Sequence, residues 1–216
     1  MKILLYSIHE LSVPDFYQEK LKIISPVRQA KIKRLSTQKA KMQSLGAGLV
    51  IQAGLSETAF TESDITYTEG KPAILEPYAP HFNISHSEQW ILGAFDVFEV
   101  GVDLQAFRPV NLKLATRFFH PDEIRALSKQ TNSLAAQHYF IQLWTIKESI
   151  VKAKGAGLSF PLNQFYVHPQ MDYVVIDRKS WYFKLFEFSN YQCCVCSEAP
   201  LLRVKPQILT NSTFER

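Results

Sequence analysis

Residues 133–157, SLAAQHYFIQLWTIKESIVKAKGAG, form the longest periodic segment of the chain. Apolar residues recur at helical spacing through most of it, and glycines follow where the periodicity stops. The segment therefore predicts a long helix over Ser133–Lys154. Within it, Glu148 and Lys152 stand one helical turn apart, so they share a face of the helix.

The flanking segments indicate an α+β fold. The run HPDE (120–123) predicts the start of another helix, since proline suits the first turn and acidic side chains suit the positive end of the helix dipole. Residues 164–197 are rich in Phe, Tyr, Val and Ile, which predicts three or four antiparallel strands. In the first half, the pattern predicts a strand over 2–8, helices within 15–55, and a hairpin between 90–95 and 100–104.

The bulk composition is that of a globular protein. The chain has 216 residues, of which 46% are hydrophobic and 20% charged, an ordinary balance for a soluble protein. Its N-terminal apolar run is too short for a signal peptide, and no stretch approaches the roughly 20 apolar residues of a membrane helix. We therefore expect a cytoplasmic protein with no membrane partner.

Basic residues concentrate between positions 20 and 41, where no acidic residue occurs. The net charge of +4 is mild, so this distribution is more informative than the total. Two interpretations stay open: a solvated helix face, or a docking surface for phosphates or an acidic partner. The stretch lacks interleaved aromatic residues for base stacking and has no nucleic-acid-binding motif, so no nucleic-acid partner is expected.

Two acidic side chains and a lysine are candidates for one site, in which the acids would hold a metal ion and the metal and the lysine would both contact a diphosphate. In GVDLQ (101–105), strand alternation turns Asp103 and Gln105 to the same side, where their oxygens could serve a hard cation. Taken alone, an aspartate on a strand is usually solvated, and an exposed Glu–Lys pair contributes only a few tenths of a kcal/mol. Taken together, a metal held by Glu148 and the ammonium of Lys152 would both neutralise a diphosphate.

Four segments together resemble the 4′-phosphopantetheinyl transferase superfamily, in its surfactin-synthetase-activating type. They are FNISHS (82–87), GVDLQ (101–105), FFHPDE (118–123) and LWTIKESIVKAKGAGLS (143–159). Their order and spacing match the family, and the last segment is the most specific. Upstream, EGKPA (69–73) resembles the family's GKP turn.

The resemblance implies an architecture. The family fold consists of two similar α+β lobes related by a pseudo-twofold, each a small antiparallel sheet with a long helix, and the active site lies in the cleft between them. For this chain, that implies an N-terminal, coenzyme A-binding lobe over residues 1–100 and a C-terminal, Mg²⁺-binding and catalytic lobe over residues 101–216. Because the two lobes together supply the cleft, a monomer is implied as well.

The resemblance also implies an activity. The family transfers the 4′-phosphopantetheine arm of coenzyme A to a serine of an apo acyl, peptidyl or polyketide carrier protein, with Mg²⁺, and releases adenosine 3′,5′-bisphosphate. Two alternatives stay open. One is a coenzyme A-binding protein with impaired catalysis, supported only by Gln105, which stands where many family members have a second acid. The other is a Mg²⁺-dependent phosphohydrolase that uses the same ligands.

Finally, the resemblance implies roles for individual residues. The implied Mg²⁺ ligands are Asp103, Glu148 and Gln105, the last as a neutral or water-mediated ligand, since an amide cannot act as a base. The implied catalytic residues are Glu148, Lys152, which would neutralise the diphosphate, and Glu123, which would accept the serine proton directly or through a metal-bound water. The implied coenzyme A contacts are Arg28, Lys31, Lys71, Pro72, Ser85, His86, Asp103 and Lys152.

Overall fold

The computed structural model describes residues 1–68, 71–157 and 160–214. Its helices and strands, in chain order, are β1 (Lys2–Ser7), α1 (Pro14–Ile23), α2 (Pro26–Lys33), α3 (Gln38–Leu55), β2 (Thr66–Thr68), β3 (Lys71–Ala73), β4 (His81–Ser87), β5 (Trp90–Asp96), β6 (Val100–Ala106), α4 (Ala115–Phe118), α5 (Pro121–Ser128), α6 (Ser133–Lys154), β7 (Tyr173–Ile176), β8 (Lys179–Phe188), β9 (Tyr191–Ser197) and β10 (Gln207–Leu209). The chain divides into two compact units. The first comprises Met1–Thr68, Pro72–Val97 and Val204–Arg216, and the second Glu69–Lys71 and Phe98–Arg203.

The first unit packs helices against a four-stranded sheet. The strand order is β10-β1-β5-β4, with β1 antiparallel to β5 and parallel to β10. The 18-residue α3 starts at a capped end, where the Thr37 hydroxyl accepts a hydrogen bond from the backbone N–H of Ala40 at 3.2 Å. Apolar side chains of α3 and β1 then share one buried core, which is the main source of this unit's stability.

The second unit packs the 22-residue α6 against an antiparallel sheet of order β6-β9-β8-β7. Asn132 caps the start of α6 by accepting a hydrogen bond from the backbone N–H of Ala135 at 2.9 Å. Gly155 ends the helix in a left-handed conformation with φ +67°, which glycine adopts without steric cost. The core of the unit lies between the apolar side of α6 and the sheet.

Helix α6 lies against β6 so closely that no side chain fits at Gly101. A Cβ added there would overlap the carbonyl oxygen of Ser149 and the backbone nitrogen of Ala153. Both are backbone atoms of α6, which cannot swing aside as a flexible side chain can. The same approach brings Lys152 of α6 within hydrogen-bonding distance of Asp103, two residues after the glycine on β6.

The α+β class is confirmed, with a four-stranded sheet and a long helix in each unit. Helix α6 has the predicted bounds, and β7, β8 and β9 occupy the predicted β-rich segment. The helical stretch within 15–55 is broken into three, and α2 restarts at Pro26, which has no N–H to continue a preceding helix. Among the described residues, no helix is both long and apolar enough to cross a bilayer.

The predicted hairpin between residues 90–95 and 100–104 is wrong. Strand β5 pairs with β1 on one edge and β4 on the other, so both rows of its backbone hydrogen-bonding groups are already used. Strand β6 pairs instead with β9 in the second unit. Alternation of apolar residues identified both strands correctly, but it carries no information about which strands pair.

The boundaries of the two units do not coincide with a single division of the chain at residue 100. Residues 204–214 return to the first unit, because β10 pairs in parallel with β1. Lys71 groups with the second unit, where its ammonium contacts α6. Of the segments that carried the family resemblance, Glu69 and Gly70 of the GKP turn lie outside the described residues, as do Leu158 and Ser159 at the end of residues 143–159.

Substitution Gly101→Ala tests the close approach of β6 and α6. We expect a loss of unfolding free energy of about 3 kcal/mol or more, because the new methyl group overlaps helix backbone and forces the two elements apart. Urea denaturation measures it. Gly157→Ala is the control: its φ of +66° costs about 1 kcal/mol, but nothing lies within 4 Å of the added Cβ. Equal effects of the two substitutions would contradict the close contact.

Candidate active site

Asp103 stands on β6 with its carboxylate almost fully buried, at 2% exposure of the side chain. Gln105 donates from Nε2 to Oδ2 of Asp103 at 2.9 Å, and Lys152 donates from its ammonium to Oδ1 at 2.5 Å. The first bond puts Asp103 and Gln105 on the same side of the strand, as alternation predicted. The second joins β6 to α6 through an ion pair with one end buried.

Helix α6 also brings Glu148 to this carboxylate. Glu148 is half-buried, one helical turn before Lys152. Burial raises the pKa of Glu148 above its usual range, the nearby negative charge of Asp103 raises it further, and the positive charge of Lys152 opposes both. Glu148 shares a face of α6 with Lys152, whose ammonium bonds to Asp103, so both carboxylates lie on that side of the helix. Asp103, Gln105, Glu148 and Lys152 therefore form one cluster, built from two separate segments of the chain.

This cluster offers oxygen ligands to a hard cation. Two neighbouring carboxylates repel each other, and a divalent cation between them removes the repulsion. Gln105 uses its amide N–H₂ group toward Asp103, which directs the dipole of the amide so that its carbonyl oxygen is the remaining ligand atom. In the described part of the chain, no group of three or more His, Cys, Asp or Glu side chains forms a metal site. The set at Asp103 consists of two carboxylates and one amide.

Comparison with known proteins identifies the family of this chain. Residues 99–196 match the model of the 4′-phosphopantetheinyl transferase superfamily. Over 205 residues the chain is 32% identical to the 4′-phosphopantetheinyl transferase Sfp of Bacillus subtilis (strain 168), with 90% of each chain covered. The chain belongs to the 4′-phosphopantetheinyl transferase superfamily. The family resemblance inferred from four short segments is thus confirmed.

Two further relatives extend the comparison. The 4′-phosphopantetheinyl transferase ffp of Bacillus subtilis is 32% identical over 206 residues, again with 90% of each chain covered. The 4′-phosphopantetheinyl transferase gsp of Aneurinibacillus migulanus is 37% identical over 134 residues, which cover 59% of this chain and 55% of the relative. The first two alignments span both units. The similarity to these transferases therefore extends beyond the segments that carry the metal-ligand candidates.

Glu123, the predicted base, has a different set of partners. Its side chain is 0% exposed and forms an ion pair with the equally buried Lys147 at 2.9 Å. It also accepts backbone hydrogen bonds from Val167 at 2.7 Å and from His120 at 2.8 Å, the second as part of a capping box at the start of α5. Burial raises the pKa of Glu123 in spite of the opposing effect of Lys147. A fully buried carboxylate with these bonds is not placed for direct contact with a carrier serine.

Lys147 is the residue that the sequence reasoning missed. Its ammonium donates to the carbonyls of Leu162 at 2.8 Å and Phe165 at 2.7 Å, in addition to the ion pair with Glu123. Burial lowers its pKa to about 8. A usable signal was present, because Leu143 and Val151 stand four residues to either side of Lys147 on the predicted helix. Helical spacing therefore puts this lysine in an apolar stripe, where a lysine seldom occurs without a partner.

Lys71 and Pro72, the predicted adenosine contacts, fall at the start of β3. Lys71 donates from its ammonium to the carbonyl of Ala153, near the end of α6, at 3.0 Å and forms an ion pair with Glu99. The side chain of Lys71 is 18% exposed, so it is largely packed away. The structure thus brings Lys71 to the same helix end that carries Lys152.

The remaining predicted coenzyme A contacts belong to the first unit. Ser85 is buried on β4, and His86, which follows it, is exposed. Lys31 is exposed on α2. Arg28 of the same helix is 8% exposed and forms an ion pair with Glu62. A phosphate could engage Lys31 as the helix stands, whereas it would have to compete with Glu62 for Arg28.

Substitution Asp103→Asn tests whether the two carboxylates are neighbours. We expect the pKa of Glu148 to fall toward its ordinary range, because the substitution removes a negative charge beside it and releases Lys152 from its ion pair. Carboxyl ¹³C NMR across a pH titration measures the change. Glu187→Gln, which removes an exposed carboxylate on β8, serves as the control. A pKa of Glu148 that is the same in the Asp103→Asn variant as in the unmodified chain would show that the carboxylates do not interact.

Proposed function

We propose that this chain transfers the 4′-phosphopantetheine arm of coenzyme A to a serine of an apo carrier protein, with Mg²⁺ bound by Asp103 and Glu148. Membership in the superfamily supports a transferase that uses coenzyme A and a carrier protein. One observation carries the finer proposal: Asp103, Glu148 and Lys152 converge, from β6 and α6, within the residues that the family model matches.

The donor set suits Mg²⁺. Asp103 and Glu148 would supply anionic oxygens, and Gln105 a neutral one, directly or through water. Burial raises the pKa of Glu148 and the charge of Asp103 raises it further, and a cation bound between the two carboxylates would relieve that repulsion. When bound, the ion would neutralise part of the charge of the coenzyme A diphosphate and orient it.

Lys152 is placed to stabilise charge on the same diphosphate. Its side chain is 29% exposed, while its ammonium is held at 2.5 Å from Asp103. A phosphate bound beside Asp103 therefore lies within reach of an ammonium that is already oriented. A fixed positive charge next to the leaving phosphate lowers the barrier without a change in the geometry of the site.

The transfer is an in-line displacement at phosphorus. The serine hydroxyl oxygen forms a bond to the β-phosphorus of coenzyme A, the bond from that phosphorus to the bridging oxygen breaks, and adenosine 3′,5′-bisphosphate leaves with the oxygen. The serine proton passes to a carboxylate. The described geometry supports Glu148 better than Glu123 as its acceptor, because Glu148 belongs to the cluster and is half-buried, whereas Glu123 is fully buried in its ion pair with Lys147.

The basic stretch of residues 20–41 suits the anionic partners of this reaction. Lys20 and Arg28 are buried there and paired with glutamates, so they stabilise the fold. The exposed members of the stretch, which support a surface for phosphates or for an acidic carrier protein, are Lys22, Lys31, Lys33, Arg34 and Lys39. The monomeric state and the cytoplasmic location remain predictions from the sequence.

The proposal is tested by incubating the protein with an apo carrier protein, coenzyme A and Mg²⁺. We expect the carrier to gain the mass of one phosphopantetheine arm, and the gain to require Mg²⁺. Lys152→Met is expected to lower kcat about 10²- to 10³-fold, because it removes a charge that stabilises the transition state. The matched control is Lys154→Met on the same helix, whose ammonium pairs instead with Asp177.

The outcomes of this assay separate the alternatives. A coenzyme A-binding protein with impaired catalysis would bind coenzyme A and leave the carrier unmodified. A phosphohydrolase would release phosphate without any carrier. Equal activities of the Lys152→Met and Lys154→Met variants would contradict the role given to Lys152.

Substitution Gln105→Glu tests the neutral position in the donor set. Without Mg²⁺ we expect the unfolding free energy to fall by about 1–2 kcal/mol, since a third carboxylate replaces an amide that donates to Asp103. With Mg²⁺ the loss is expected to shrink or reverse, because a more negative site binds the ion more tightly. Urea denaturation with and without Mg²⁺ measures both effects, and Gln170→Glu, at an exposed loop position, is the control. A loss that is unchanged by Mg²⁺ would place Gln105 outside the site.

A further inference from the structure

The ion pair between Lys147 and Glu123 is the most deeply buried charged contact described. Both side chains are 0% exposed, and the ammonium lies 2.9 Å from Oε1 of the carboxylate. The ammonium also donates to the carbonyls of Leu162 and Phe165, and it lies over the ring of Phe165, 4.1 Å from the centroid. These partners of the ammonium lie on α5 and on the segment that follows α6.

Glu123 extends the same network to two more backbone groups. Its Oε1 accepts from Val167 and its Oε2 from His120, so the carboxylate joins the start of α5 to the segment after α6. Through Lys147, both are tied to the side of α6 itself. The pair therefore links α6 to the start of α5 and to the segment that follows α6.

The position of Lys147 on the helix gives this attachment a consequence for the cluster. Residues of an α-helix are about 100° apart around its axis, so Lys147 lies nearly opposite Ser149. Ser149 and Ala153 face β6 at Gly101. Helix α6 is therefore held on one flank by the contact with Gly101 and on the other by the ion pair, and Glu148 lies between the two attachments.

A small rotation of α6 would displace Glu148 appreciably. A side-chain tip lies roughly 6 Å from the helix axis, so a rotation of about 20° moves it by roughly 2 Å. Misplacement of a reacting group by about 1 Å can lower a rate by about 10²-fold. The distance between Glu148 and Asp103 therefore depends on the contacts of Lys147, which limit the rotation of the helix.

Burial of an ion pair is a poor means of stabilising a fold. Removing two charges from water costs about as much as their attraction returns, and a well-packed apolar pair is often equally stable or more stable. An ion pair instead fixes geometry, because the ammonium and the carboxylate hold four backbone partners in one arrangement.

We propose that Lys147 and Glu123 are positioning residues that fix the rotation of α6, and with it the placement of Glu148 against Asp103. The proposal rests on the transferase function given above. It assigns Glu123 an indirect role in place of proton acceptance, and Lys147 a role where none was predicted. Neither residue touches the substrate in this account.

The test uses the double variant Lys147→Met/Glu123→Leu, which replaces the pair with apolar side chains and leaves no unpaired charge. We expect its urea midpoint to fall, because the backbone groups of Leu162, Phe165, Val167 and His120 lose their side-chain partners. We also expect its kcat for carrier modification to fall about 10- to 100-fold and its KM for coenzyme A to change less than about 3-fold. Calorimetry with Mg²⁺ alone is expected to show at least about 10-fold weaker binding. The control double variant, Lys184→Met/Asp172→Asn, removes an exposed ion pair on the same unit.

A second variant keeps the test decisive if the double variant does not fold. Glu123→Gln removes the charge and keeps one acceptor oxygen, so one of the two backbone hydrogen bonds is retained and the other is lost, because an amide nitrogen cannot accept. The positioning role predicts weaker Mg²⁺ binding and a lower kcat with the shape of the pH–rate profile retained. A base would instead lose the limb of the profile that reports its titration, with Mg²⁺ binding unchanged. That second result, or unchanged kcat and Mg²⁺ binding in a folded variant, overturns the inference.

The design separates this inference from the proposed function. If the unmodified chain fails to modify any apo carrier, the proposed function fails, and Mg²⁺ calorimetry on the variants still reports on positioning. If the unmodified chain modifies the carrier and the variants match it in kcat and in Mg²⁺ binding, the positioning role alone fails.

Discussion

The backbones of β6 and α6 touch at Gly101, where the carbonyl of Ser149 and the nitrogen of Ala153 leave no space for a side chain. This contact sets the distance between the two elements that carry the candidate site. Asp103 lies two residues along the strand and Lys152 lies beside the contact on the helix, so their ion pair of 2.5 Å follows from the approach of the two backbones. The chemistry of the cluster therefore depends on the absence of a side chain at one position.

The cluster has a negative formal charge. Two carboxylates and one ammonium share a largely buried site, and the charge of Asp103 adds to burial in raising the pKa of Glu148. Elsewhere in the second unit the core is apolar, and the buried carboxylate of Glu123 is paired with the ammonium of Lys147.

The sequence predicted those features that depend on local spacing. The bounds of α6 followed from helical periodicity and the glycine after it, and the shared side of Asp103 and Gln105 followed from strand alternation. Strand pairing did not follow, because alternation is the same whichever partner a strand has; the hairpin from β5 to β6 was wrong for that reason. The burial of Glu123 and its pairing with Lys147 depend on packing between distant segments, so spacing along the sequence could not predict this buried ion pair.

The central claim is that Asp103 and Glu148 bind one divalent cation together. The most direct measurement is anomalous X-ray diffraction from a crystal that contains Mn²⁺, as a substitute for Mg²⁺, together with coenzyme A. The account predicts a single anomalous peak in contact with a carboxylate oxygen of each residue and with the diphosphate of coenzyme A. A peak that contacts only one of the two side chains, or that lies elsewhere while coenzyme A is bound, would contradict it.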